Sequence, residues 1–234
     1  MAKVQGVKEK LHAPIYDAFF IKEQSNGAEK KRFTDYMTDP RVIRFFVDIQ
    51  NKTRLETNLQ ASGVLPSLNA FEARALRVVV SNLRLTEKSR SSESTTTSDT
   101  TTGNASSKNK VVNLESEIQV SEAEILSDLI YNSVTSLIVG EKTMIEMPTF
   151  WFPSGAGVSP GFPAVSNHGE ANPTATFRFA EPVFIEPQQN FRVEISFPQG
   201  VPGYGEKDSG KLASITGPMR IWVVLDGYLT RDVQ

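Results

Sequence analysis

A chain of 234 residues, 39% of them hydrophobic, is long enough to enclose a substantial core, and all-β sandwiches of this size commonly form one domain. Its formal net charge of −2 gives no electrostatic reason for tight binding to bare nucleic acid, which needs clustered Lys and Arg against phosphate. The absence of cysteine excludes a disulfide framework, a thiolate metal site and a cysteine nucleophile, and leaves the redox compartment open.

The opening MAKVQGVKEKLHAPIYDAFF lacks the apolar centre of a secretory signal, and no later stretch approaches the roughly 20 apolar residues of a membrane-spanning helix, so a soluble protein is expected. Residues 1–39 mix charges with apolar clusters such as Ile15 to Ile21, and Pro40 disfavours a helix continuing through Asp39. This region reads as an N-terminal arm with one strand-like segment, ahead of a domain over 40–234. From Arg41 to Ile49 the run RVIRFFVDI puts Ile43, Phe45, Val47 and Ile49 on one face, which predicts a strand. Polar ground punctuated by Gly63 and Pro66 leads to ALRVVVSNLRL, a β-branched run from Ala75 to Leu85 and a second strand. Between Ser89 and Ser107 the chain is almost without apolar residues and cannot offset the entropy of ordering by burial. An exposed Ser/Thr-rich loop is expected at about 87–110, inserted at a hairpin tip rather than linking two domains.

Ser121 and Glu124 have capping-box spacing, and Ile125, Leu126, Leu129 and Ile130 share one helical stripe, which predicts one short helix. Ser133 to Val139 and Thr143 to Met147 resume strand character across a Gly140-Glu141 turn. A long Gly- and Pro-rich loop bearing Phe150, Trp151 and Phe152 follows. From Thr174 to Phe197 apolar and polar residues alternate. Phe177 and Phe179 oppose Arg178, and Phe191, Val193, Ile195 and Phe197 oppose Arg192, Glu194 and Ser196, the period of half-buried antiparallel strands. The closing GPMRIWVVLDGYLTR is a further strand with Met219, Ile221, Val223 and Leu225 on one face. About eight strands and one helix, without a detectable repeat, predict an all-β fold, a single jelly-roll β-sandwich of two antiparallel sheets.

The residues that catalysis would need are scattered. His12 and His168 lie far apart, without HxxxH or HxH spacing, and read as surface residues. The carboxylates define no acid and base pair and read as a solvated face. Gly155-Ala156-Gly157 lacks the GK[ST] continuation and the helix start of a phosphate loop. Asp35, Asp39 and Asp226 lack the regular oxygen spacing of a calcium loop, and chance accounts for the glycosylation triplets at Asn51 and Asn104. No catalytic residue, metal ligand or cofactor site is assigned. The aromatic run Phe150-Trp151-Phe152 stands apart, because a strand cannot bury three consecutive rings on one face. At least one of them faces a loop, a partner subunit or solvent.

Two stretches carry a family likeness. ETNLQASGVLPSLNAFEARALRV, from Glu56 to Val78, has a Thr-Asn pair, a Gly-x-Leu-Pro step and a Phe before a strand. FRFAEPVFIEPQQNFRVEISFP, from Phe177 to Pro198, has a proline-flanked aromatic strand that leads through a Gln/Asn turn into the next. With the terminal IWVVLDGYLTR, and over less than half the chain, they resemble the jelly-roll major capsid proteins of tailless icosahedral bacteriophages. The resemblance implies a shell-forming subunit whose jelly roll stands steeply to the capsid surface. Such a subunit gathers in capsomers and contacts copies of itself and other capsid proteins through its arm and loops, in a virion assembled in the host cytoplasm. The chain is too short for the double version of the fold, which needs about sixteen strands. The expected interface residues are Phe19, Phe20, the Phe150, Trp151 and Phe152 cluster, and Arg41 and Arg44 as ion-pair donors between subunits. A carbohydrate- or receptor-binding jelly roll such as a viral spike is the competing expectation, with Trp151 and the Gly-rich loop as its ligand surface.

Overall fold

The computed structural model describes residues 8–21, 32–37, 39, 41–82, 128–152, 158–159, 170–171, 176–203, 212–214 and 218–232. In chain order the strands are β1 (Lys8–His12), β2 (Ile15–Ile21), β3 (Val42–Phe45), β4 (Ala70–Asn82), β5 (Val134–Val139), β6 (Lys142–Pro148), β7 (Val158–Ser159), β8 (Glu170–Ala171), β9 (Phe177–Ile185), β10 (Phe191–Ser196) and β11 (Met219–Asp232). The expectations for the Ser/Thr-rich loop, the capping box at Ser121, Gly155 to Gly157, His168 and Asn104 all lie outside the described residues.

One sheet runs β1-β11-β4-β9, with β2 also paired to β11, and the other runs β3-β10-β5-β6. β2 lies along Met219 to Leu225 and β1 along Tyr228 to Asp232, so the two are successive pieces of one edge. Counted as one strand, they give two sheets whose members read 1-8-3-6 and 2-7-4-5 in chain order, all antiparallel. Every connection between these eight crosses to the other sheet except the β5–β6 hairpin, which is the single jelly roll expected from the sequence. β7 and β8 form a separate two-stranded ladder.

Period-two alternation supplies the core. Met219, Ile221, Val223 and Leu225 of β11 face Ile43, Leu137, Val193 and Ile195 of the opposite sheet, all of them buried. Burying such a side chain contributes about 1.5–3 kcal/mol. Gly227 marks the bulge between β11 and β4, where a Cβ would lie 2.1 Å from the Glu72 carbonyl oxygen and force the ladder apart.

Several boundaries differ from the sequence reading. The region assigned to an arm contributes two strands, because Ile15, Ala18 and Ile21 are buried and β2 hydrogen-bonds along β11. The strand expected over 41–49 stops at Phe45, since Phe46 turns with φ 69° and sends its ring into the core against Phe191, at 5.3 Å. β4 begins earlier than expected, at Ala70, with Glu72 and Arg74 facing outward. In β9, Arg178 pairs with Ala75 while Val183 pairs with Ala73, so residues 179–182 bulge from the ladder. Of the expected helix, one turn is described at 128–131, closed by Asn132 N–H donating to the Asp128 carbonyl at 3.2 Å.

The connection from Phe46 to Asn69 is stitched to the sandwich. Asn58 accepts from Tyr16 N–H and donates to the Pro14 carbonyl, and Thr57 Oγ1 donates to the Tyr16 carbonyl, which covers the outer edge of β2. Gly63 N–H donates to the Phe46 carbonyl, and Phe191 N–H donates to that of Gly63 at 2.8 Å.

Candidate functional site

Register places the ends of the connections 22–41, 83–133, 149–176 and 197–218 at one end of the sandwich. Ile21 and Asn82 both pair with Met219, and Val134 pairs with both Ser196 and Pro148. The opposite end carries the connection from Phe46 to Asn69 and the short Gly140-Glu141 and 186–190 turns. Loops gathered at one end of a rigid scaffold are where binding residues concentrate.

A buried chain of hydroxyls organises this end. Ser133 Oγ donates to the Leu129 carbonyl at 2.5 Å and lies 2.7 Å from Thr149 Oγ1, which lies 2.9 Å from Thr135 Oγ1. Thr149 N–H also donates to the Ser133 carbonyl, at 2.9 Å. The chain ties the helical turn at 128–131 to the 3-10 turn Thr149–Trp151. From those two turns project Tyr131, Phe150 and Trp151, which are 71%, 45% and 52% exposed. Phe150 sits between the other two, with ring centroids 6.1 Å from Tyr131 and 6.0 Å from Trp151 and interplanar angles of 30° and 28°. A row of rings in water, fixed from beneath by satisfied buried groups, is a preorganised contact surface.

The structure separates the residues singled out in the sequence. Phe152 leaves the exposed row, since it is buried against Phe177 at 5.2 Å and belongs to the core. Phe19 packs edge-on against Phe33 at 5.7 Å. Phe20 is half-buried on the outer sheet face under the Arg220 guanidinium, which lies 4.2 Å from its centroid and 5.3 Å from that of Trp222. Arg44 reaches Glu194 of its own chain at 3.5 Å, and Glu194 also holds Arg192 at 2.7 Å. The Arg41 side chain is exposed, while its backbone closes the turn at Asp39 and accepts from Phe197 N–H. Only Phe150 and Trp151 of these residues share a surface. Tyr131 was missed because it follows the stripe of Leu129 and Ile130. Its position directly before Asn132-Ser133, where the helical turn ends, is the signal that could have found it.

Charges lie elsewhere. On the outer face of the first sheet Glu72 binds Lys10 and Arg74, each at 2.5 Å, and hydrogen bonds from those two hold its carboxyl below the ordinary value. Asp226 binds His12 at 2.7 Å and Arg77 at 2.6 Å. Burial pushes its carboxyl up, but the hydrogen bonds more than offset this and leave it below the ordinary value. Lys10 and Arg74 also lie over the Tyr228 ring, at 4.9 and 5.0 Å. Among the described residues no three His, Asp or Glu side chains converge as metal ligands; Asp35 caps the Arg32 N–H and Asp39 the Arg41 N–H, apart from Asp226. No family model, curated protein or solved structure matches this chain.

Proposed function

We propose that this chain is a structural subunit that assembles with copies of itself into a virion shell, as the sequence resemblance implies. The observation that carries the reading is the exposed row Tyr131-Phe150-Trp151, tied by buried hydroxyls to one end of a single jelly roll. Aromatic side chains dominate subunit contacts, and a row fixed in advance loses little freedom when a neighbour covers it. Light scattering and negative-stain imaging across salt and protein concentration test this. Trimers or hexamers that build sheets, tubes or shells support it, and a double Phe150→Ala/Trp151→Ala chain should then assemble at least about tenfold less readily. A persistent monomer, alone and with companion proteins, overturns it.

The near-parallel rings favour one other reading, a carbohydrate- or receptor-binding module, because sugar faces stack on such rings. Glycan binding by a chain that stays monomeric, abolished in Trp151→Ala, selects this alternative.

A further inference from the structure

β1 and β2 share one edge of β11 but are held by different forces. β2 buries Ile15, Asp17, Ala18 and Ile21, and its outer edge is covered by Thr57 and Asn58. β1 buries nothing, since its five residues alternate between exposed and half-buried. Its side chains reach the sheet through polar contacts: Lys10 meets Glu72 at 2.5 Å, His12 meets Asp226 at 2.7 Å and Glu9 meets Arg231 at 2.9 Å. The β1 members of these pairs are 50%, 62% and 39% exposed. Exposed pairs contribute little and are screened by salt. Leu11, half-buried opposite Leu229, is the apolar residue of the strand. Ala13-Pro14 alone connects the two strands; the Ala13 N–H donates to the Gly227 carbonyl at 3.2 Å and Asn58 grips the Pro14 carbonyl, so the hinge itself is anchored.

We propose that β1 is an exchangeable strand, and that the edge of β11 at residues 228–232 which it vacates is an interaction surface for β1 of a second copy of this chain. The occupant follows from the register. A strand seated there must put a cation opposite Glu72, a partner beside Asp226, an acid beside Arg231 and an apolar residue against Leu229, and Lys10, His12, Glu9 and Leu11 do so. A second copy's β1 reproduces every one of these contacts, so exchange conserves the bonding and is governed by protein concentration. A two-residue hinge containing proline is short enough to favour the open arrangement. The inference is independent of the shell reading and holds equally for a binding module.

Two measurements on the full chain test it. Amides of residues 9–12 should exchange with solvent about tenfold faster in 1 M salt, where the screening length falls to about 3 Å, while those of 15–21 keep their rate. Glu72→Gln should accelerate residues 9–12 severalfold at low salt. The natural chain has no cysteine, so Glu9→Cys/Arg231→Cys supplies the sole thiols across a directly opposed pair. Tagged and untagged copies of this variant, mixed in high salt, returned to low salt and oxidised, should give mixed disulfide dimers severalfold above a sample never exposed to salt. Exchange of residues 9–12 in step with 15–21, or disulfides confined to single chains after the incubation, overturns the proposal.

Discussion

Asp17 and Phe46 are joined inside the sandwich, where the fully buried Asp17 carboxylate on β2 accepts the Phe46 N–H at 2.7 Å. Both of its oxygens also take Lys52 Nζ, each at 2.9 Å. Phe46 has φ 69°, a conformation that costs an L-residue on the order of 1–3 kcal/mol. The carboxylate therefore fixes the turn that ends β3, and it ties the edge of one sheet to a connection of the other.

Removing it should be costly. Asp17→Ala leaves a half-buried ammonium and a buried N–H without their partner, and we expect a loss of about 1–3 kcal/mol in urea unfolding. A loss under about 1 kcal/mol would show that Phe46 holds its turn unaided.

Acid titration should separate two carboxyls of opposite sign. Burial holds the Asp17 carboxyl above its ordinary value, against the pull of Lys52, so the fold binds this proton more tightly than the unfolded chain does. Its contribution favours the fold below about pH 3.9 and is lost as pH rises through the folded value. Asp226 is held below its ordinary value, so its contribution is present above about pH 3.9 and lost as pH falls through the folded value. Asp226→Asn should flatten the decline of unfolding free energy on acidification, and Asp17→Asn should steepen it. Identical slopes in the parent and both variants would contradict these assignments.

Thr149→Val removes the middle hydroxyl of the chain that runs from Ser133 to Thr135, at nearly unchanged volume. We expect a cost of about 1–3 kcal/mol from the stranded partners. Acrylamide quenching of Trp151, in a Trp222→Phe background, should rise as the aromatic row loosens; quenching equal to the parent's would show that the rings are held some other way.

Three adjacent aromatics should divide by role. Phe152→Ala opens a cavity in the core and should lower stability by about 3–5 kcal/mol, whereas Phe150→Ala and Trp151→Ala should stay within about 0.5 kcal/mol. Thermal melts of the monomers decide this, and a large loss at Trp151 would move that ring from contact surface to structural role.

The strands with clean alternation were legible in the sequence because one face of each meets the core. β10, with Phe191, Val193 and Ile195 buried, is the clearest case, and β11 follows it. The stop after Phe45 was not legible, because it depends on a carboxylate on another strand. Nor was the partnership of Tyr131 with Phe150, which arises from a hydroxyl network that joins two loops. The Thr-Asn and Gly-x-Leu-Pro signals behind the family likeness have a local physical role, since Thr57 and Asn58 cover the β2 edge and Gly63 bonds the backbones of Phe46 and Phe191.

The position of β11 also bears on how the chain folds as it is made. This strand is the last of the described ones, yet it lies at the centre of its sheet and is the shared partner of β1, β2 and β4. Lys8 has its ladder partner in Asp232, so β1 waits for β11 to be made. A nascent chain ending before Met219 has no centre for that sheet. Closing contacts so distant in sequence is slow, which makes folding of this sandwich wait until residues 219–232 have been made, with apolar strands exposed in the interval.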